Sequence, residues 1–145
     1  MAKVLYTAEA EVTGGRIAGH GRTSDGKLEV DLRVPQELGG EGDGTNPEQL
    51  FAIGFAACFE GALAVVGRRQ RAQSDDATIA SKVKLLPTGD GGFKLAVDMD
   101  VTLPSIDDPD KAVDVVRAAH KVCPYSNATR GNVDVAFTAN GRVVD

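Results

Sequence analysis

Two stretches of the chain alternate apolar and polar residues at period two, the mark of strands with one buried and one wet face. In the first, "KLEVDLRVP", Leu28, Val30, Leu32 and Val34 alternate with charged residues behind an Asp-Gly turn signal at 25–26. In the second, Phe93, Leu95, Val97, Met99, Val101 and Leu103 keep the same period and pair, across "PTGDGG", with Ile79, Val83 and Leu85. Between them lies "QLFAIGFAACFEGALAVVG", apolar nearly all round with Glu60 its only charge. A helix without a polar face belongs in a core or an interface. Its start is marked by Asn46 as cap, Pro47 in the first helical position and Gln49 three residues after the cap. A second helix starts at Asp108-Pro109, places Ala112, Val113, Val116, Ala119 and Cys123 on one stripe, and is stopped by Pro124. "KVLYTAEAEVTGG" opens the chain as a strand and "NVDVAFTANG" closes it as another. The pattern predicts an α+β fold with a mainly antiparallel sheet and two helices.

The 145 residues and 42% apolar composition fit a single domain over 1–145. Sixteen Lys and Arg stand against 21 Asp and Glu, with no basic block. That balance disfavours nucleic acid as a partner, because phosphate binding needs clustered positive charge. The N-terminus lacks the pattern of a secretory leader and no run reaches 18 uninterrupted apolar residues, so the expected location is cytoplasmic, with no membrane partner.

Cys58 and Cys123 are the only cysteines. A reducing cytosol argues against a permanent disulfide, whereas a transient catalytic or sensing one fits. Cys58 sits mid-helix in an apolar run, where a free cysteine can be simply a small hydrophobe. Cys123 stands at a helix end beside the polar turn "HKVCPYSNATRGN", where a thiol is expected to be mobile and within reach. One buried and one mobile thiol suit a peroxidatic cysteine and its resolver: the first becomes a sulfenic acid, the second closes a disulfide on it. Burial raises a thiol pKa, so a cation has to hold the thiolate. Arg16, Arg22 and Arg130 are the candidates, and Glu48, in the first turn of the apolar helix, is placed to orient one of them. No Cys-x-x-Cys or His-x-x-x-His spacing joins the cysteines to His20 or His120, so a metal site is not expected.

"TNPEQLFAIGFAACF" (45–59) and "VCPYSNATRGN" (122–132) resemble the two signature segments of the Ohr branch, the organic hydroperoxide resistance proteins, of the OsmC/Ohr family. "KVLYTAEAEVTGGR" and "SDGKLEVDLRVPQELGG" fit the same branch, so the resemblance covers essentially the whole chain. It implies an OsmC-like fold in an intertwined homodimer. It further implies a cysteine peroxidase that reduces organic and fatty-acid hydroperoxides to alcohols and is recycled by dihydrolipoamide or lipoylated proteins, with no bound cofactor. By the same resemblance Cys58 is the peroxidatic and Cys123 the resolving cysteine, Arg16 stabilises the thiolate and Glu48 orients Arg16. Ile53 and Phe55 depart from the family's commonest wording, alanine and tyrosine, in ways that reshape a pocket without touching the reacting groups.

Ten residues of straight helix separate Glu48 from Cys58 by about 15 Å. Arg16 and Glu48 are therefore expected to serve the Cys58 of the partner subunit in a two-fold dimer. Phe51, Phe55 and Phe59 are the expected wall for an alkyl chain. The competing readings are the sibling OsmC branch with broader substrates, and a non-catalytic dithiol sensor or apolar-ligand carrier.

Overall fold

The computed structural model of the protein describes residues 2–145. The chain divides into two compact units, Met1–Leu50 and Phe51–Asp145.

In the first unit, β1 (Ala10–Thr13), β2 (Gly19–Thr23) and β3 (Glu29–Leu32) form an antiparallel meander in that order. Gly14 and Gly15 turn the chain between β1 and β2 with φ of 76° and 64°. Gly19 passes so close that a Cβ on it would lie 1.8 Å from the Gly15 carbonyl oxygen. Glycine alone fits this tight loop, which carries Arg16. The opening strand is shorter than its sequence suggests. Residues 2–9 lie outside any strand, and Val4, Leu5 and Tyr6 are exposed, because strand character needs a neighbour to take its backbone hydrogen bonds. The alternation in β3 is real, yet of this unit's hydrophobic residues only Leu32 is buried while Val12 and Leu28 stay exposed.

A 3₁₀ turn at Gln36–Leu38 and a loop lead to α1 (Pro47–Gln70). The expected cap forms: the Gln49 N–H donates to Asn46 Oδ1 at 2.9 Å. The Gln49 side chain does not close a capping box; it accepts from the Thr45 hydroxyl at 2.7 Å.

In the second unit, β4 (Thr78–Pro87) and β5 (Phe93–Thr102) make a ten-residue antiparallel hairpin. After α2 (Pro109–Val122) and α3 (Pro124–Thr129), β6 (Asp134–Ala139) returns parallel to β5, and β7 (Arg142–Val144) folds back against it, giving the order β4-β5-β6-β7. A parallel pair needs a long crossover, and the two helices supply it. One sheet face, with Val97, Met99 and Val101 of β5 and Phe137 of β6, packs against Phe55, Phe59 and Leu63 of α1 and Ala112, Val116 and Ala119 of α2. The other face is polar, with Lys84–Asp98 paired at 2.7 Å and Thr138 donating to Asp100 at 2.7 Å.

Candidate active site

The four side chains singled out in the sequence fall into two pairs. In the first unit, Arg16 Nη2 donates to Glu48 Oε1 at 3.0 Å, with the carboxylate more shielded than the guanidinium (17% and 41% exposed). Glu48 is in the first turn of α1, where its negative charge suits the helix dipole. In the second unit, Cys58 Sγ and Cys123 Sγ stand 3.6 Å apart as free thiols. A disulfide bond measures about 2.05 Å, so the pair is poised but open.

The burial of the two cysteines reverses the expectation. Cys123 is fully buried, and Cys58 is the half-buried member. The reason lies in the α2 stripe, which continues from Ala112 through Val116 and Ala119 to Cys123 and faces the core throughout. Nor is the turn after it loose. Pro124 occupies the first position of α3, and Cys123, in extended conformation, is the last residue beyond one helix and the cap of the next.

Burial pushes the Cys58 thiol up from its ordinary 9.0; the backbone N–H of Tyr125 opposes that rise, and neighbouring Cys123 adds to it. Among the described residues no cation is one of the influences on Cys58.

Tyr125, not among the sequence-derived candidates, completes an aromatic cluster. Its ring centroid lies 6.0 Å from Phe51 and 5.8 Å from Phe55, and those two meet edge to face at 6.0 Å. Gly54 makes room for it, since a Cβ there would approach the Tyr125 hydroxyl to 3.0 Å. Gly54 and Cys58 are one turn apart on the same face of α1. Phe59 sits elsewhere, fully buried in the core against Phe137 at 4.8 Å. Ile53 is 71% exposed, whereas Phe55 is wholly buried.

The remaining candidates have other surroundings. His20 is held on both ring nitrogens, Nδ1 to Asp31 at 3.0 Å and Nε2 to Glu29 at 2.9 Å, and these bonds raise its pKa, Asp31 most. The His120 ring packs on Phe137 at 4.8 Å, and burial, then Arg130, lowers its pKa. Arg22 is exposed on β2. Among the described residues no three His, Cys, Asp or Glu side chains gather as a metal would require.

With a close thiol pair, an Arg–Glu pair and this strand order in place, known proteins can be compared. Residues 40–138 match the family model described as OsmC-like protein. The organic hydroperoxide resistance protein of Xanthomonas axonopodis pv. citri is 48% identical over 140 residues, 94% of this chain and 95% of that one. The chain belongs to the OsmC/Ohr family. Solved family structures agree in fold. An organic hydroperoxide resistance protein from Legionella pneumophila superposes with a TM-score of 0.88 at 50% identity, over 93% of this chain and 97% of that one. The organic hydroperoxide resistance protein OhrB of Bacillus subtilis gives 0.82 at 46%, over 92% and 98%. The similarity thus sits in the Ohr branch and spans both units.

Proposed function

We propose that the protein is a thiol peroxidase that reduces organic hydroperoxides, alkyl and fatty-acid, to alcohols. The observation that carries this reading is the 3.6 Å separation of the Cys58 and Cys123 sulfurs in a family whose Ohr relatives are named for organic hydroperoxide resistance. The Cys58 thiolate attacks one peroxide oxygen; the O–O bond breaks, the alkoxide leaves and is protonated to the alcohol, and Cys58 is left as a sulfenic acid. The Cys123 sulfur then attacks Cys58 Sγ, forming the disulfide and expelling water. A dithiol donor, dihydrolipoamide or a lipoylated protein, returns two electrons by thiol–disulfide exchange and departs as its own disulfide.

Burial disfavours the Cys58 thiolate, so the site calls for a cation. Arg16, already oriented by Glu48, supplies it from the partner subunit of a two-fold homodimer. Support for the dimer comes from α1 itself, a 24-residue helix that is long and apolar enough to cross a membrane yet has only 33% of its apolar window buried within the chain. Phe51 and Tyr125 line the alkyl tail's path, with Phe55 and Phe59 behind them in the core. Hydrogen peroxide is the poorer substrate, because burying an alkyl tail contributes about 25 cal/mol per Å² and it has none.

The test is steady-state reduction of an alkyl hydroperoxide with dihydrolipoamide, thioredoxin or glutathione as donor, with Cys58→Ser and Cys123→Ser beside wild type. Repeated turnover with the lipoyl dithiol alone, abolished in Cys58→Ser, is the expected result. One oxidation with no turnover under any donor would replace the peroxidase by a redox sensor, and equal activity on hydrogen peroxide would point to the broader OsmC chemistry.

A further inference from the structure

We infer that Arg130 is the positioning residue for the resolving cysteine, and that it does this by replacing a hydrogen bond that Pro124 removes. In an α-helix the carbonyl of residue i accepts from the N–H of residue i+4. For Ala119 that donor exists: the Cys123 N–H reaches its oxygen at 2.9 Å. For His120 the donor would be residue 124, and proline has no N–H. The His120 carbonyl, in the last turn of α2, is thereby left without a helical donor.

Arg130 fills the gap. Its Nη2 donates to the His120 oxygen at 2.5 Å, and its Nη1 donates to Asn127 Oδ1 at 2.7 Å. Its own backbone N–H donates to the Ser126 carbonyl at 2.9 Å, fixing it to the end of α3. One guanidinium therefore ties the last turn of α2 to α3 on either side of Cys123. The planar fork of arginine suits this two-armed bond, which a lysine ammonium could not reproduce.

The consequence falls on Cys123, the residue at the kink. The direction of its Sγ is set by the angle between the two helices, and that angle brings it to 3.6 Å from Cys58 Sγ. Disulfide closure onto a sulfenic acid depends on the fraction of time the second sulfur spends in line with the first. Loosening the kink lowers that fraction without touching the attack of Cys58 on peroxide. The inference rests on the peroxidase reading above.

The experiment separates the two steps. Reduced wild type, Arg130→Gln and Asn127→Ala are mixed with one equivalent of an alkyl hydroperoxide. Loss of the Cys58 thiol and gain of the disulfide are followed by rapid quench and mass spectrometry, with melting temperature measured alongside. The expected result is Cys58 oxidation within about twofold of wild type in both variants. Disulfide formation slows about tenfold or more in Arg130→Gln and by less in Asn127→Ala, and Cys58 over-oxidises to sulfinic acid at lower hydroperoxide excess. Closure at the wild-type rate in a folded Arg130→Gln overturns the inference, as does an equal slowing of both steps. Should Arg130→Gln fail to fold, Asn127→Ala, an exposed change that leaves Arg130 in place, decides: unchanged closure and unchanged over-oxidation overturn it. If wild type itself forms no Cys58–Cys123 disulfide, the peroxidase reading falls and this inference with it.

Discussion

Cys58 is pushed toward its neutral form by its own surroundings, so its reactivity reports whatever cation reaches it. Alkylation of Cys58 as a function of pH, in a Cys123→Ser background, is expected to titrate well below 9.0 in otherwise wild-type protein. In Arg16→Ala the midpoint rises to 9.0 or above, and peroxidase activity at neutral pH falls on the order of 10²-fold. His20 provides a separate titration. Its two carboxylate bonds raise its folded-state pKa above 6.5 and depress that of Asp31 below 3.8. The cluster stabilises the fold only while both partners are charged. Its contribution is lost as pH rises through the raised His20 value, and lost again as pH falls through the depressed Asp31 value. The melting temperature of wild type should exceed that of His20→Gln by a small margin in mildly acidic buffer, with the difference vanishing in alkaline buffer. That Cys58 would meet Cys123 and Arg16 would meet Glu48 was legible because their motifs stand out in sequence. Arg130 was legible only as one cation among three. Its role depends on a missing N–H six residues upstream, which becomes visible only once both helices are in place.

At the scale of elements, α1 and α2 began where their Asn/Asp-Pro signals placed them, and the β4–β5 hairpin followed its alternation. α3 was missed: Pro124 read as a stop also serves as a first helical residue, and six residues are too few to show a period. β2 hid because glycines 19 and 21 leave no alternating apolar side chains. The parallel β5–β6 pairing has no local signature at all, since it is fixed by the crossover. The far end of α1 carries a sharp constraint. A Cβ on Gly67 would lie 2.1 Å from Ser74 Oγ and 2.7 Å from the Ala72 carbonyl, and that buried hydroxyl donates to the Leu63 carbonyl at 2.7 Å. Gly67→Ala, though favourable for helix propensity, should cost about 1–3 kcal/mol by chemical denaturation. Gly54→Ala meets only the tip of a movable tyrosine ring and is expected to be tolerated in stability. Its effect should appear as a changed near-ultraviolet tyrosine signal, the chain having two tyrosines and no tryptophan.

For the whole molecule the decisive question is which chain's arginine serves which chain's thiol. Arg16→Ala and Cys58→Ser are each expected to be inactive alone. Unfolded together and refolded as a mixture, they should recover about a quarter of wild-type activity, because half of the dimers are mixed and each of these holds one intact shared site. Sites completed within a single chain would recover nothing, and that result would overturn the shared site. The exposed residues Val4, Leu5, Tyr6, Val12 and Leu28 are the surfaces whose protection from hydrogen exchange should rise with protein concentration if the subunits associate. The kink at Cys123 has a consequence of its own for how such a chain can vary over time. With only Cys123 between the end of one helix and the start of the next, the segment holds no slack. A single insertion in α2 would turn everything after it by about 100° and aim the thiol away from its mate. The number of residues between His120 and Asn132 is thus as tightly constrained as the identities of Cys123, Pro124 and Arg130.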